Sequence, residues 1–321
     1  DCFKPAFNYR PKQSAQYALA ISNFESSTES PQRYNFGFIA STDDHTARPG
    51  TGYKQYERRK MTFATGVKSK IWEYQYAAED PNFPEIPKIT PGESQPDSER
   101  VSSFVYPGGI LAVHAEGRGK DEIWNALKNK NVYGTSGPRI LLWFDLINSP
   151  EGQVPMGSVI TMSQNPRFII KAAGSFKQNP GCSNESIDSL SSERLEYLCA
   201  GECNNPSNER EVIEKIEIIK ITPQIYAGEA VSPLIQDPWK SIPCQGSGEC
   251  IVEFEDQNFS RDSVYYVRAI QNPTPAINGS TLSKRGNFDL CKGSFRTNLK
   301  DDCLSMTNER AWSSPIYVNK P

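Results

Sequence analysis

Histidine is nearly absent: His45 and His114 are the only two in 321 residues. Net charge is scarce as well, a formal −3, which leaves neither the basic footprint of a nucleic-acid binder nor a membrane-seeking surface. No apolar run approaches the roughly 18 residues that a membrane span needs. The sequence has no G-x-S-x-G elbow, phosphate-binding P-loop, dinucleotide fingerprint or C-x-x-C redox pair. Without an elbow, or a histidine near a candidate Ser or Cys, it argues against a serine or cysteine hydrolase. The sequence shows neither a starting Met nor a signal-peptide pattern before Asp1, so the expectation is a processed product or one that begins partway through a longer one.

Short apolar runs are plentiful, punctuated by 24 Pro and 22 Gly. The length favours two domains. Eight cysteines are unevenly spread, Cys2 alone and then Cys182, Cys199, Cys203, Cys244, Cys250, Cys291 and Cys303. An even number at short local spacings predicts disulfides, with Cys244–Cys250 and Cys291–Cys303 as short loops. A zinc site at Cys199 and Cys203 is the alternative, and the absence of any nearby histidine weighs against it. Sequons at Asn184, Asn258 and Asn278 lie in the same half. Together these predict an oxidising, extracellular or periplasmic setting.

The fold expectation follows from periodicity. Residues 11–24 place Ala15, Ala18, Leu19 and Ile21 on one helical face after Pro11. A buried strand over Tyr34–Ala40, carrying Phe36, Phe38 and Ile39, ends in a polar cluster. A Pro-rich stretch at 79–103 reads as a surface excursion or active-site flap. Gly108–Glu116 reads as a strand whose end turns polar at His114 and Glu116. It feeds a helix over 119–130, with Asp121 and Glu122 in the first turn and Lys128 and Lys130 in the last. Ile123, Trp124 and Leu127 are that helix's expected buried stripe. After Asp145 strands follow one another without helices: Arg167–Ala173, Val212–Thr222, Cys250–Glu255, Val264–Ile270 and Trp312–Val318. This predicts an α/β domain over 1–138, then an all-β, disulfide-pinned antiparallel sandwich over 139–321. A phase slip between Ile218 and Ile219 suggests a bulge.

The candidate site is the strand tip Asp43-Asp44-His45, followed by Arg48 and Lys54. Two carboxylates, an imidazole and two cations within about a dozen residues make a site composition, and α/β folds keep their chemistry at strand ends. Asp43 and His45 are candidate ligands of a divalent metal, Zn, Mn, Fe or Mg, beside Asp44 as the candidate catalytic carboxylate. A turn cap and a loop histidine are the alternative. Arg48 and Lys54 face an anionic substrate or pair with the acidic tip. His114 and Glu116 are candidate substrate contacts or further ligands if both strand tips open on one face. Arg139, after the turn that carries Ser136, either clamps a phosphate or carboxylate or ties the loop to backbone carbonyls.

Three strings carry a resemblance: GFIASTDDHTARPGTGYK, GGILAVHAEGRGKDEIWNALKNKNVYGTSGPRI and ERAWSSPIYV. They resemble a large bacterial family catalogued as a domain of unknown function and related to the polymerase-and-histidinol-phosphatase (PHP) superfamily. The match in order and spacing covers Phe36 to Arg139 and the last ten or so residues. The resemblance implies a distorted β/α barrel with metals at its strand ends and phosphate-ester hydrolysis as its chemistry. The superfamily's late D-x-H motif maps onto Asp43 and His45. Its early H-x-H motif has no counterpart here, so the chain resembles the C-terminal part of such a protein. A barrel without its first strands exposes raw edges, which implies completion by an N-terminal fragment or partner chain, with Cys2 as a candidate link, or within an oligomer or extracellular assembly. The rival expectation is a non-catalytic extracellular structural or assembly protein that keeps the fold.

Overall fold

Strict alternation of apolar and polar residues builds the first layer of the molecule. The structure, a computed structural model, describes residue 12 and residues 14–25, 31–41, 109–199, 204–277 and 304–321. In β5 (Leu141–Ser149), Leu142, Phe144 and Leu146 are fully buried, while Trp143 and Asp145 between them turn outward. β8 (Arg167–Ala173) and β13 (Glu249–Glu255) repeat the pattern with Phe168, Ile170, Val252 and Phe254 inward. With β6 (Gly152–Pro155) they form a four-stranded antiparallel sheet in the order β13-β8-β5-β6. Three phenylalanines tie it together: Phe168 stacks on Phe144 and Phe254 at 5.3 and 4.8 Å. Burying each such ring is worth roughly 1.5–3 kcal/mol.

The second sheet has eight strands. Its main path runs β12 (Ile235–Pro243), β11 (Ile213–Ile221), β14 (Ser263–Ile277), β15 (Leu304–Ser313), β4 (Val132–Thr135) and β3 (Ile110–Val113). β16 (Ile316–Asn319) pairs with β14 and, in parallel, with β7 (Val159–Thr161). Ile216, Ile218, Tyr265, Val267, Ala269 and Ala311 of this sheet share one core with the inward residues of the first. The expected strands have counterparts in β8, β11, β13 and β14, whereas Trp312–Val318 is split between β15 and β16 at Ser314 and Pro315. The disulfide Cys244–Cys250, with Cα atoms 5.7 Å apart, staples the end of β12 to the start of β13.

The β11 sequence I-E-I-I-K-I is explained by burial on both faces. Ile216 and Ile218 face the sandwich core, whereas Ile219 and Ile221 face a second cluster with Leu19, Ala20, Val264, Tyr266 and Tyr317. The cover on that outer side is α1 (Ala15–Ala20), shorter than the helix expected from sequence, and capped by Ser14, whose Oγ accepts from Tyr17 N at 3.1 Å. A register shift against β12 between Ile218 and Lys220 supplies the bulge.

Three local expectations are corrected. Residues 34–41 are not a sheet strand: Tyr34 is 57% and Ile39 67% exposed, and the segment lies outside the backbone ladders. Side-chain hydroxyls take the ladder's place, since Phe36 N donates to Tyr317 Oη at 2.9 Å and Phe38 N to Ser314 Oγ at 3.0 Å. In α2 (Lys120–Lys128) Asp121, Glu122 and Lys128 sit as expected, but Lys130 lies beyond the Asn129 cap at a φ of 61°, Trp124 is 63% exposed and only Ala126 is buried. The strands flanking α2, β3 and β4, pair antiparallel, so this is not the parallel β-α-β unit that a barrel repeats. The described residues form a β-rich fold with few helices and no closed barrel. β4 also pairs with β15, so the sheet runs across residue 138.

Candidate functional site

Asp43, Asp44, His45, Arg48 and Lys54 lie outside the described residues, as do the stretch 79–103, Asn278, Cys2, Cys203, Cys291 and Cys303. The approach to the Asp43–His45 cluster is described up to Ser41. Small residues let it press onto the sheet: an added Cβ at Gly109 or Gly134 would meet the Ala40 Cβ at 2.8 or 2.9 Å. Gly109 N then donates to Ser41 O at 3.2 Å. The other end of the segment lies at the opposite end of β4, where an added Cβ at Gly37 would meet the Ser314 Oγ at 2.8 Å and the Lys130 Cβ at 3.0 Å. The segment thus runs antiparallel to β3. Ser41 sits beside the start of β3 and His114 just past its end, about 17 Å away at strand rise.

His114 and Glu116 line a groove of about 310 Å³ at the seam between the two sheets, together with Ala115, Trp143, Phe144, Asp145, Pro155 and Met156. His114 is held from two sides. Its backbone N donates to Asn131 O at 2.9 Å, and its ring Nε2 donates to the Leu142 carbonyl at 2.8 Å. A carbonyl can only accept, so Nε2 carries a proton and a neutral ring keeps its lone pair on Nδ1. Tyr133 and Trp143 pack on the same imidazole with ring centroids at 5.3 and 5.6 Å. Burial pushes the Tyr133 hydroxyl up to about 12, so it stays a donor, and it donates to Ile140 O at 3.1 Å.

Asp145 was not picked out by sequence reasoning, although its signal is visible. It occupies the outward phase of β5, two residues after Trp143, where a half-buried strand face carries one aromatic and one carboxylate. Burial raises its carboxyl above the ordinary range; the Gln153 hydrogen bond at 3.0 Å and the Lys171 charge oppose that rise. The groove thus holds an imidazole, two carboxylates and a partly open indole, and the exposed Gln153 amide is bound to one of those carboxylates.

Arg139 is exposed and makes no hydrogen bond or ion pair among the described residues. Its neighbour Ser136 is bound instead: Ser136 Oγ donates to the carboxylate of Glu309 and accepts from Arg310 N at 2.8 Å. Glu309 is only 2% exposed, and burial pushes its carboxyl up to about 7. Asn184 and Asn258 are exposed. Cys182 is disulfide-bonded, and Cys199 closes α4 (Ser192–Cys199), which follows α3 (Asn184–Ser189).

Among the described residues no three His, Cys, Asp or Glu side chains converge as a metal site. The described residues do not fit a metal by themselves. No helix among them is long and apolar enough to cross a membrane.

A family model described as "Protein of unknown function (DUF3604)" matches residues 23–180 and 241–320. The match takes in β3, α2, β4, the whole groove and the C-terminal strands, and leaves 181–240 unmatched. No curated protein matches the chain, and no solved structure does.

Proposed function

The chain belongs to the DUF3604 family, and on that premise we propose that it is the C-terminal part of an extracellular or periplasmic metal-dependent hydrolase, related to the PHP superfamily and acting on phosphate esters. The observation that carries the reading is the His114 imidazole. One ring nitrogen is committed to a backbone carbonyl and the other is left as an acceptor beside a groove with Asp145 and Glu116. Histidines that bind metals or move protons are oriented in this way, because the committed nitrogen fixes tautomer and ring plane.

A divalent metal (Zn, Mn, Fe or Mg) would supply the acidified water and charge neutralisation that phosphate-ester hydrolysis needs. Asp43 and His45 are the residues of this chain that would hold it. The remaining ligands would come from an N-terminal fragment or partner chain. Asp44 would take a proton from the attacking water. Arg48, Lys54 and Arg139 would bind the phosphoryl oxygens, which suits guanidinium and ammonium donors. His114 and Glu116 would contact the alcohol portion well away from the phosphoryl group, since His114 lies about 17 Å along the strand from Ser41. The disulfide and the exposed sequon residues Asn184 and Asn258 support the extracellular placement.

A second reading is a non-catalytic extracellular structural or assembly protein. The disulfide, the exposed sequon residues and the two-sheet core would serve such a protein equally well. Hydrolysis of p-nitrophenyl phosphate by the complete natural assembly separates the two. Turnover abolished by a chelator and restored by added metal supports the hydrolase. Absence of turnover across the four metals rejects it and leaves the assembly reading.

A further inference from the structure

The groove that holds His114 has a composition poorly matched to a bare anion. Glu116 and Asp145 both line it, and two carboxylates repel phosphate. Nor is it a bare cation site, because Asp145 is already held by Gln153 and faces the Lys171 charge. What remains open is an aromatic surface next to a hydrogen-bonding pair. Trp143 keeps 38% of its surface exposed, with the His114 ring inclined at 42° beside it. Two residues along the same strand face, Asp145 accepts from Gln153 Nε2 at 3.0 Å.

We propose that this groove binds one neutral pyranose ring, with the indole of Trp143 under its C–H face and the Asp145–Gln153 pair on its hydroxyls. An indole offers a flat apolar platform with a polar edge, and a carboxylate offers only acceptors, which suits the O–H donors of a sugar. The Gln153 amide carries both donors and an acceptor, so the pair can serve adjacent hydroxyls in either sense. His114, which also lines the groove, has Nδ1 as a further acceptor. At about 310 Å³ the groove lies at the small end of ligand sites, which fits a single ring and not an extended chain. The inference deepens the reading above by naming the non-reacting part of the substrate as a sugar, and it rests on that reading only in taking the groove as a binding site.

The test is saturation-transfer NMR on the full protein, in chelator, with the methyl glycosides of glucose, galactose, mannose and N-acetylglucosamine. The expected result is transfer to the ring C–H protons of at least one of them, with a Kd on the order of 1 mM. Trp143→Ala is expected to weaken that binding at least tenfold, and Gln153→Ala several-fold. Both positions are solvent-exposed, so a retained far-ultraviolet circular dichroism spectrum certifies the fold of each variant. Two results overturn the proposal: no transfer from any of the four sugars, or transfer that Trp143→Ala leaves unchanged. Choline bound in a Trp143-dependent way in place of the sugars also overturns it, by making the groove a cation site. The binding test runs without metal and the turnover test with it, so sugar binding by a protein that shows no turnover with any added metal sinks the hydrolase reading alone, and turnover with metal but no sugar binding sinks this one alone.

Discussion

The Tyr317 hydroxyl closes both backbone groups of Phe36: it accepts from Phe36 N at 2.9 Å and donates to Phe36 O at 2.8 Å. A single side chain from the C-terminal strand β16 thereby replaces a ladder partner for the segment that leads toward Asp43. Burial pushes the phenol up to about 12, so the hydroxyl remains a donor across the physiological range.

Removing that hydroxyl tests whether it holds the segment. Tyr317→Phe keeps the ring packed in the outer cluster and leaves two backbone groups without their partner. We expect a cost of about 1–3 kcal/mol, felt mostly in residues 34–41. Amide hydrogen exchange at Phe36 should accelerate, while exchange in β14 stays slow. Equal acceleration in both would show that the hydroxyl supports the whole sheet and not this segment.

Glu309 predicts a pH dependence. Its folded-state pKa of about 7 lies above the ordinary 4.5, because burial disfavours the charge. Between those values the unfolded chain releases the proton that the folded chain keeps, so stability falls as pH rises from about 4.5 to 7 and then levels off. The two pKa values correspond to roughly 3 kcal/mol across that window. Glu309→Gln retains an acceptor for Ser136 and cannot ionise. Denaturant titrations at pH 5 and 8 should show the wild-type difference shrinking in the variant. A difference that persists undiminished would assign the slope to other groups.

Lys220 and Asp256 form a buried ion pair that bridges the two layers. Tyr265 donates to the same carboxylate, and the Lys220 ammonium lies 5.2 Å from the centre of the Trp239 ring. Lys220→Met strands a buried carboxylate and should cost about 3–5 kcal/mol. Adding Asp256→Asn removes the stranded charge, and the double variant should recover most of the loss. Strict additivity in that thermodynamic cycle would mean that the pair is not coupled.

Much of the sandwich was legible because its strands bury one face and expose the other. β8 was readable to the residue, and Cys244–Cys250 followed from a six-residue spacing. β11 was harder, since α1 covers its outer face and both phases turn apolar. Tyr34–Ala40 misled because its alternation is genuine, with Phe36 and Phe38 partly buried, yet its partners are hydroxyls far along the chain and not another strand. Trp124 misled because an amphipathic pattern gives the apolar face without saying that anything packs on it. In the groove, His114 and Glu116 were readable as a polar strand end. Trp143, Asp145 and Gln153 were not, because their meeting depends on how β5, β6 and the β3–α2 turn converge.

Metal content decides whether Asp43 and His45 serve a hydrolase as metal ligands. The natural protein, purified with whatever chain accompanies it, is to be compared with its His45→Ala and Asp43→Asn variants by elemental mass spectrometry. The account predicts at least one Zn, Mn, Fe or Mg ion per chain in the wild type, largely lost in both variants while thermal unfolding above the metal-free baseline is preserved. A wild type without stoichiometric metal, or variants that keep all of it, would contradict the account.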